Sequence, residues 1–115
     1  MVAPQRVVRV FYRDYLNDVA ISSTQPESLL QDRLVPLAQR LLLSEDNFLG
    51  VVDRHDTILQ CYLSEAPDAV VLELVRPERP GCQRSIMPRD EAFERLGSLP
   101  DQFDDALLPN SEYVD

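Results

Sequence analysis

The 115-residue chain has no lysine; all eleven of its basic residues are arginine. A phosphate-cradling P-loop needs a glycine-rich run ending in lysine, and Schiff-base or pyridoxal-phosphate chemistry needs a desolvated lysine amine. Neither can be built here. Histidine is almost as scarce: His55 alone cannot furnish a histidine-rich zinc site, and Cys61 and Cys82, the only cysteines, cannot furnish a four-thiolate one. Three scattered glycines leave no glycine-rich loop. What remains for chemistry is carboxylates, guanidiniums, hydroxyls and two thiols. That set completes no catalytic constellation and calls for no cofactor.

Twenty acidic residues outnumber the eleven arginines, for a net charge of −9 and a pI near 4.4. Such a charge repels phosphate backbones and anionic head groups, which disfavours nucleic acid and membrane surface as partners, and it attracts a basic protein. The start of the chain lacks a charged segment followed by an apolar run, and no stretch reaches the length of a membrane span, so the expected location is cytoplasmic. Two isolated cysteines fit reduced thiols. With 44% hydrophobic residues and nine prolines, residues 1–115 are expected to form one domain of short elements. Fraying is expected at 1–5 and in the acidic tail 109–115.

Residues 6–13 alternate, placing Val8, Val10 and Tyr12 on one side of an extended chain and Arg9, Phe11 and Arg13 on the other. Thr24-Gln25-Pro26-Glu27 sets a hydroxyl three residues ahead of a glutamate with a proline in the first turn, which predicts a helix start. Leu30, Leu34, Leu37 and Leu41 continue at helical spacing; Pro36, unable to donate to the Asp32 carbonyl, predicts a kink. Residues 48–53 and 57–63 read as strands joined by an Arg54-His55-Asp56 turn, and 69–76 as a third, with Val70, Leu72 and Leu74 inward. After the turn at 77–81, residues 82–86 predict a short edge strand. Pro88, Asp90 and Glu91 open a helix that Gly97 ends, and 100–107 predicts another. The expected fold class is α+β: a mostly antiparallel sheet of four or five strands, with one long kinked helix and two short C-terminal helices on one face.

The densest polar group is Asp53-Arg54-His55-Asp56. A metal could use His55 with either aspartate, but successive tip residues diverge and aspartate is a common turn former, so a plain turn is the preferred reading. On a rigid hairpin, Asp53, His55 and Asp56 are also candidate partner contacts. Asp101, Asp104 and Asp105 open a C-terminal region with no basic residue after Arg95, a second candidate contact surface. Arg76, Arg79, Arg84 and Arg89 form the one basic island; guanidinium forks bind carboxylate or phosphate, though a charged strand edge serves solubility equally well. Cys61 falls among core positions and is expected to be inert; Arg79 and Arg84 near Cys82 could favour a thiolate, but with neither a base nor a resolving partner evident a bystander surface thiol is the preferred reading. Asp90 and Glu94, one turn apart, could be read as a carboxylate pair for acid–base work, but Asp90 and Glu91 are explained by complementing a helix N-terminus, which is the preferred reading.

These features favour a small acidic, cytoplasmic, non-enzymatic interaction module that binds a basic protein. By analogy of type alone, small bacterial immunity and adaptor proteins work in this way. The alternative is a small-molecule-binding or regulatory domain, with a pocket between helices and sheet and an arginine-lined anion site at Arg76 or Arg84. A Ser-His-Asp enzyme would depend wholly on His55, at a hairpin tip with little shelter from water.

Overall fold

The alternating valines of the first strand decide where the layers lie. In the computed structural model, which describes residues 6–66 and 68–115, β1 (Val7–Asp14) turns Val8 and Val10 into the core and Arg9, Phe11 and Arg13 to the other face. Along one edge of β1 lie β2 (Val19–Ile21) and β3 (Glu27–Leu30). Across its other edge follow β4 (Phe48–Val52), β5 (Ile58–Leu63), β6 (Ala69–Val75), β7 (Cys82–Pro88) and β8 (Glu112–Val114). All pairings are antiparallel, which makes one eight-stranded sheet. Two helices, α1 (Leu34–Leu41) and α2 (Arg89–Leu96), pack on the Val8 face. Leu34, Leu41, Leu49, Leu59, Leu72 and Leu96 are among the fully buried side chains between the layers.

The strand number and the long kinked helix expected from the sequence are both corrected. Residues 27–30 do not begin a helix but pair with β1, Val7 opposite Leu30 and Val10 opposite Glu27. The outer edge of β1 offers unpaired N–H and C=O groups, and filling them outweighs a local capping signal. The hydroxyls of that signal close a turn instead: Gln25 N donates to the Ser22 carbonyl at 3.0 Å, and Ser22 Oγ and Thr24 Oγ1 lie 2.8 Å apart. Only after a 3-10 turn at Gln31–Arg33 does α1 start. Pro36 is then its third residue, where no intrahelical acceptor awaits an N–H, so it marks a helix start rather than a kink.

The second C-terminal helix is also replaced, by a single 3-10 turn at Asp105–Leu107. A helix across 99–103 would join the Leu99 carbonyl to the Phe103 N–H. Here Leu99 O accepts from Arg6 Nη1, and Phe103 N donates to Asp53 Oδ2 at 2.8 Å. Both halves of the helical bond are taken by distant partners, and Leu99, Phe103, Leu107 and Leu108 close one margin of the core. Residues 112–114, expected within a frayed tail, pair with β7 as β8. The expectation for 1–5 lies outside the described residues. Among the described residues no helix is long and apolar enough to cross a membrane.

Candidate functional site

Two of the surfaces expected from the sequence meet at one end of the sheet, where the β4–β5 and β6–β7 turns, the start of β1 and the 99–108 segment converge. Asp53 is buried: its Oδ1 accepts from the backbone N–H of His55 (2.8 Å) and Thr57 (2.9 Å), and its Oδ2 from that of Phe103. Its carboxylate therefore fastens the turn to the C-terminal segment. The exposed acids around it face arginines, with Asp56 3.1 Å from Arg9, Asp101 2.9 Å from Arg6 and Asp105 2.8 Å from Arg76. Asp104 caps the 3-10 turn by accepting from Ala106 N at 3.0 Å. His55 is exposed on the turn. A depression of about 310 Å³ lies among Arg6, Arg9, Arg54 and Asp101, two of whose three arginines are already in these pairs. Acids and arginines are interleaved here, so this end has little net field of its own.

The arginine island is spread along β7. Arg76 and Arg79 lie by the β6–β7 turn, Arg84 lies mid-strand, and Arg89 begins α2 at the far end, 5.7 Å over the Phe93 ring. A strand of seven residues spans about 20 Å, too far for one small anion to meet all four guanidiniums. Arg84 is bound to Glu73, its Nε 2.7 Å from Oε2, and the Cys82 thiol donates to the same oxygen at 3.6 Å. Burial first, and then the Glu73 carboxylate, push the Cys82 thiol up; Arg84 opposes them without prevailing. The Glu73 carboxylate thus opposes the thiolate that the neighbouring arginines could favour. Burial alone pushes Cys61 up to about 12, which fits an inert core thiol.

The face of the sheet away from the helices carries a different surface. Register places Arg13, Phe48, Tyr62, Val71 and Ile86 in one row across five strands. Phe11 lies over Gly50, where a Cβ would overlap its ring, and meets Phe48 edge to face at 6.5 Å. Phe48 is 37% and Ile86 58% exposed. This row runs close to the second end of the sheet, formed by the β1–β2 turn, the loop into β4, the β5–β6 turn and the start of α2. Asn47 ties two of these loops, accepting from Tyr15 N at 2.9 Å and donating to the Leu41 carbonyl at 3.0 Å. Asp18, Glu45, Asp46, Glu65, Asp68 and Asp90 are all exposed there, and Tyr15, Leu16 and Leu43 project between them. Of the nearby arginines, Arg13 pairs with Asp18 at 3.3 Å and Arg89 covers Phe93. The surplus negative charge therefore collects at the end opposite Asp53. No single sequence run announces it, because its acids come from four separate loops.

A groove of about 480 Å³ opens on the helical face, between α1 and the β3–β1 edge. Val10, Tyr12 and Leu29 form its floor, Pro36 and Leu37 its wall, and Arg33, Arg40 and Glu27 its rim. Arg33 and Arg40 are seven residues apart, two turns along one stripe of the helix. That spacing is legible in the sequence once the helix is known to start at Leu34. Comparison with protein-family models, with curated proteins and with solved structures finds no match to this chain.

Proposed function

We propose that this domain is a protein-interaction module that docks a basic protein on the uncovered face of its sheet, beside the acidic loops. The observation that carries the reading is the one-sided packing: both helices and the Leu99–Leu108 segment serve one face, and the other carries a largely apolar row that no helix covers among the described residues. Exposed apolar rows rimmed by charge are typical of binding surfaces. Phe48, Tyr62 and Ile86 would supply the anchoring contacts, and the acidic rim would steer and orient a cationic partner. The Asp53 end contributes less to this reading, since its acids already face Arg6, Arg9 and Arg76.

The test compares two double charge reversals of equal size. Glu45→Lys/Asp46→Lys alters the acidic rim, whereas Glu78→Lys/Asp115→Lys makes the same charge change at the other end. The immobilised wild-type chain is expected to retain a basic partner from native-host extract, with retention falling steeply between low and physiological salt. The rim variant is expected to lose that partner and the distal variant to keep it. Equal loss in both would reduce the effect to net charge, and a salt-insensitive or acidic partner would contradict the proposal.

A further inference from the structure

The sheet is wider than the helical layer that covers it. Seven strand positions at about 4.8 Å span roughly 30 Å, while each eight-residue helix is only about 12 Å long. A groove lies beside α1, with two arginines on its border. Arg6, Arg9, Arg13, Arg76, Arg84 and Arg95 are in ion pairs; Arg33 and Arg40, like Arg54, Arg79 and Arg89, are in none among the described residues, and they are the two that border one apolar groove. Both guanidiniums instead border a floor of Val10, Tyr12 and Leu29. The register that pairs Val8 with Leu29 and Val10 with Glu27 puts Leu29 and Glu27 on this same face.

We propose that the groove binds a small amphipathic monocarboxylate, its carboxylate held by Arg33 and Arg40 and its hydrocarbon body laid on Val10, Leu29 and Leu37. Two guanidiniums against one Glu27 carboxylate leave a single positive charge, which a monoanion balances. A phosphate dianion would overshoot that balance and meet Glu27. Guanidinium forks match a planar carboxylate bidentately, and the apolar floor rewards burial of an alkyl or aryl body. The volume lies in the range of about 300–1,000 Å³ common for small-molecule sites. The small-molecule reading of the sequence also expected a pocket between helices and sheet, but the arginines at this one are Arg33 and Arg40 rather than Arg76 or Arg84.

The test is an NMR titration of the full, isotope-labelled chain with octanoate, octylammonium and inorganic phosphate. Octanoate is expected to give saturable shifts confined to residues 27–29 and 33–40, and to bind Arg33→Gln/Arg40→Gln about tenfold more weakly. Octylammonium and phosphate are expected to give no saturable shift. Both arginines are exposed, so the double variant should keep the wild-type spectrum; if it does not, the two single variants carry the same comparison. The proposal is overturned by any of three results: no saturable response at millimolar octanoate, unchanged affinity in the variants, or shifts centred on Phe48 and Ile86. Equal binding of phosphate or octylammonium would overturn it too. The basic-partner surface is on the opposite face of the sheet, so either proposal can fail without the other.

Discussion

Asp53 and Asp14 do related work at opposite ends of the sheet, each holding a turn by accepting N–H groups on a buried carboxylate. Asp53 serves three backbone donors, so Asp53→Ala leaves three N–H groups without an acceptor. A loss of about 3 kcal/mol is expected, read as a lower urea midpoint at unchanged m-value. A loss below about 1 kcal/mol would mean that water replaces the carboxylate without penalty. Asp14 accepts from the Asn17 side chain at 2.8 Å and from Leu16 N at 3.1 Å. The Asn17 side-chain bond is the largest influence on its carboxyl and lowers it below the ordinary range; burial opposes, and the backbone N–H groups and Asn47 add to the lowering. Its folded pKa lies below the unfolded value of about 3.9, so its contribution is complete above that pH and fades as pH falls through the folded value. The stability advantage of wild type over Asp14→Asn should therefore shrink in chemical unfolding below about pH 4; an advantage that stays constant down to pH 2 would contradict the assignment. Turn aspartates have a backbone role as well. Asp18, Asp56 and Asp68 adopt left-handed φ values of 51°, 65° and 61° at hairpin turns, in a chain with only three glycines. Part of the acidity read from composition is thus conformational in origin.

At the scale of elements, some local signals held and others did not. Period-two alternation marked β1, β5 and β6, an apolar run marked β4, and Pro88, Asp90 and Gly97 bracketed α2. The failures came where a distant partner competed for the backbone. Thr24 to Glu27 has a helix-start pattern, but β1 offers an unpaired edge; Leu99 to Phe103 has helical spacing, but Arg6 and Asp53 take the groups its helix would have joined. Pro36 carries a prediction. In the first turn of α1 it displaces no hydrogen bond, so Pro36→Ala should change stability by less than about 1 kcal/mol. A gain near 3 kcal/mol, the relief of an interior proline, would mean that the helix begins earlier than Leu34.

At the scale of the whole molecule, charge and apolar surface are distributed by the topology. Antiparallel order gathers the β4–β5 and β6–β7 turns at one end and the β1–β2 and β5–β6 turns at the other. It thereby joins the hairpin tip to Asp101–Asp105, two segments the sequence marked separately, and disperses Arg76, Arg79, Arg84 and Arg89, which it marked as one. The charge reversals at Glu45 and Asp46 probe this scale, since both side chains are exposed and the substitutions change charge only at the acidic rim. Composition alone determined the sign of the net charge, the absence of lysine chemistry and the shortage of histidine and cysteine ligands, because these are sums over residues and do not depend on folding. Local periodicity likewise determined β1, β5 and β6, because a side chain's face depends only on its position along the strand. Only the tertiary structure decided that residues 27–30 pair with β1, that Arg76 and Arg84 meet carboxylates while Arg33 and Arg40 meet none among the described residues, and that both helices pack on the same sheet face. Each of those outcomes turns on which hydrogen-bonding and charged groups become neighbours across tens of residues, and that proximity is a property of the packed chain.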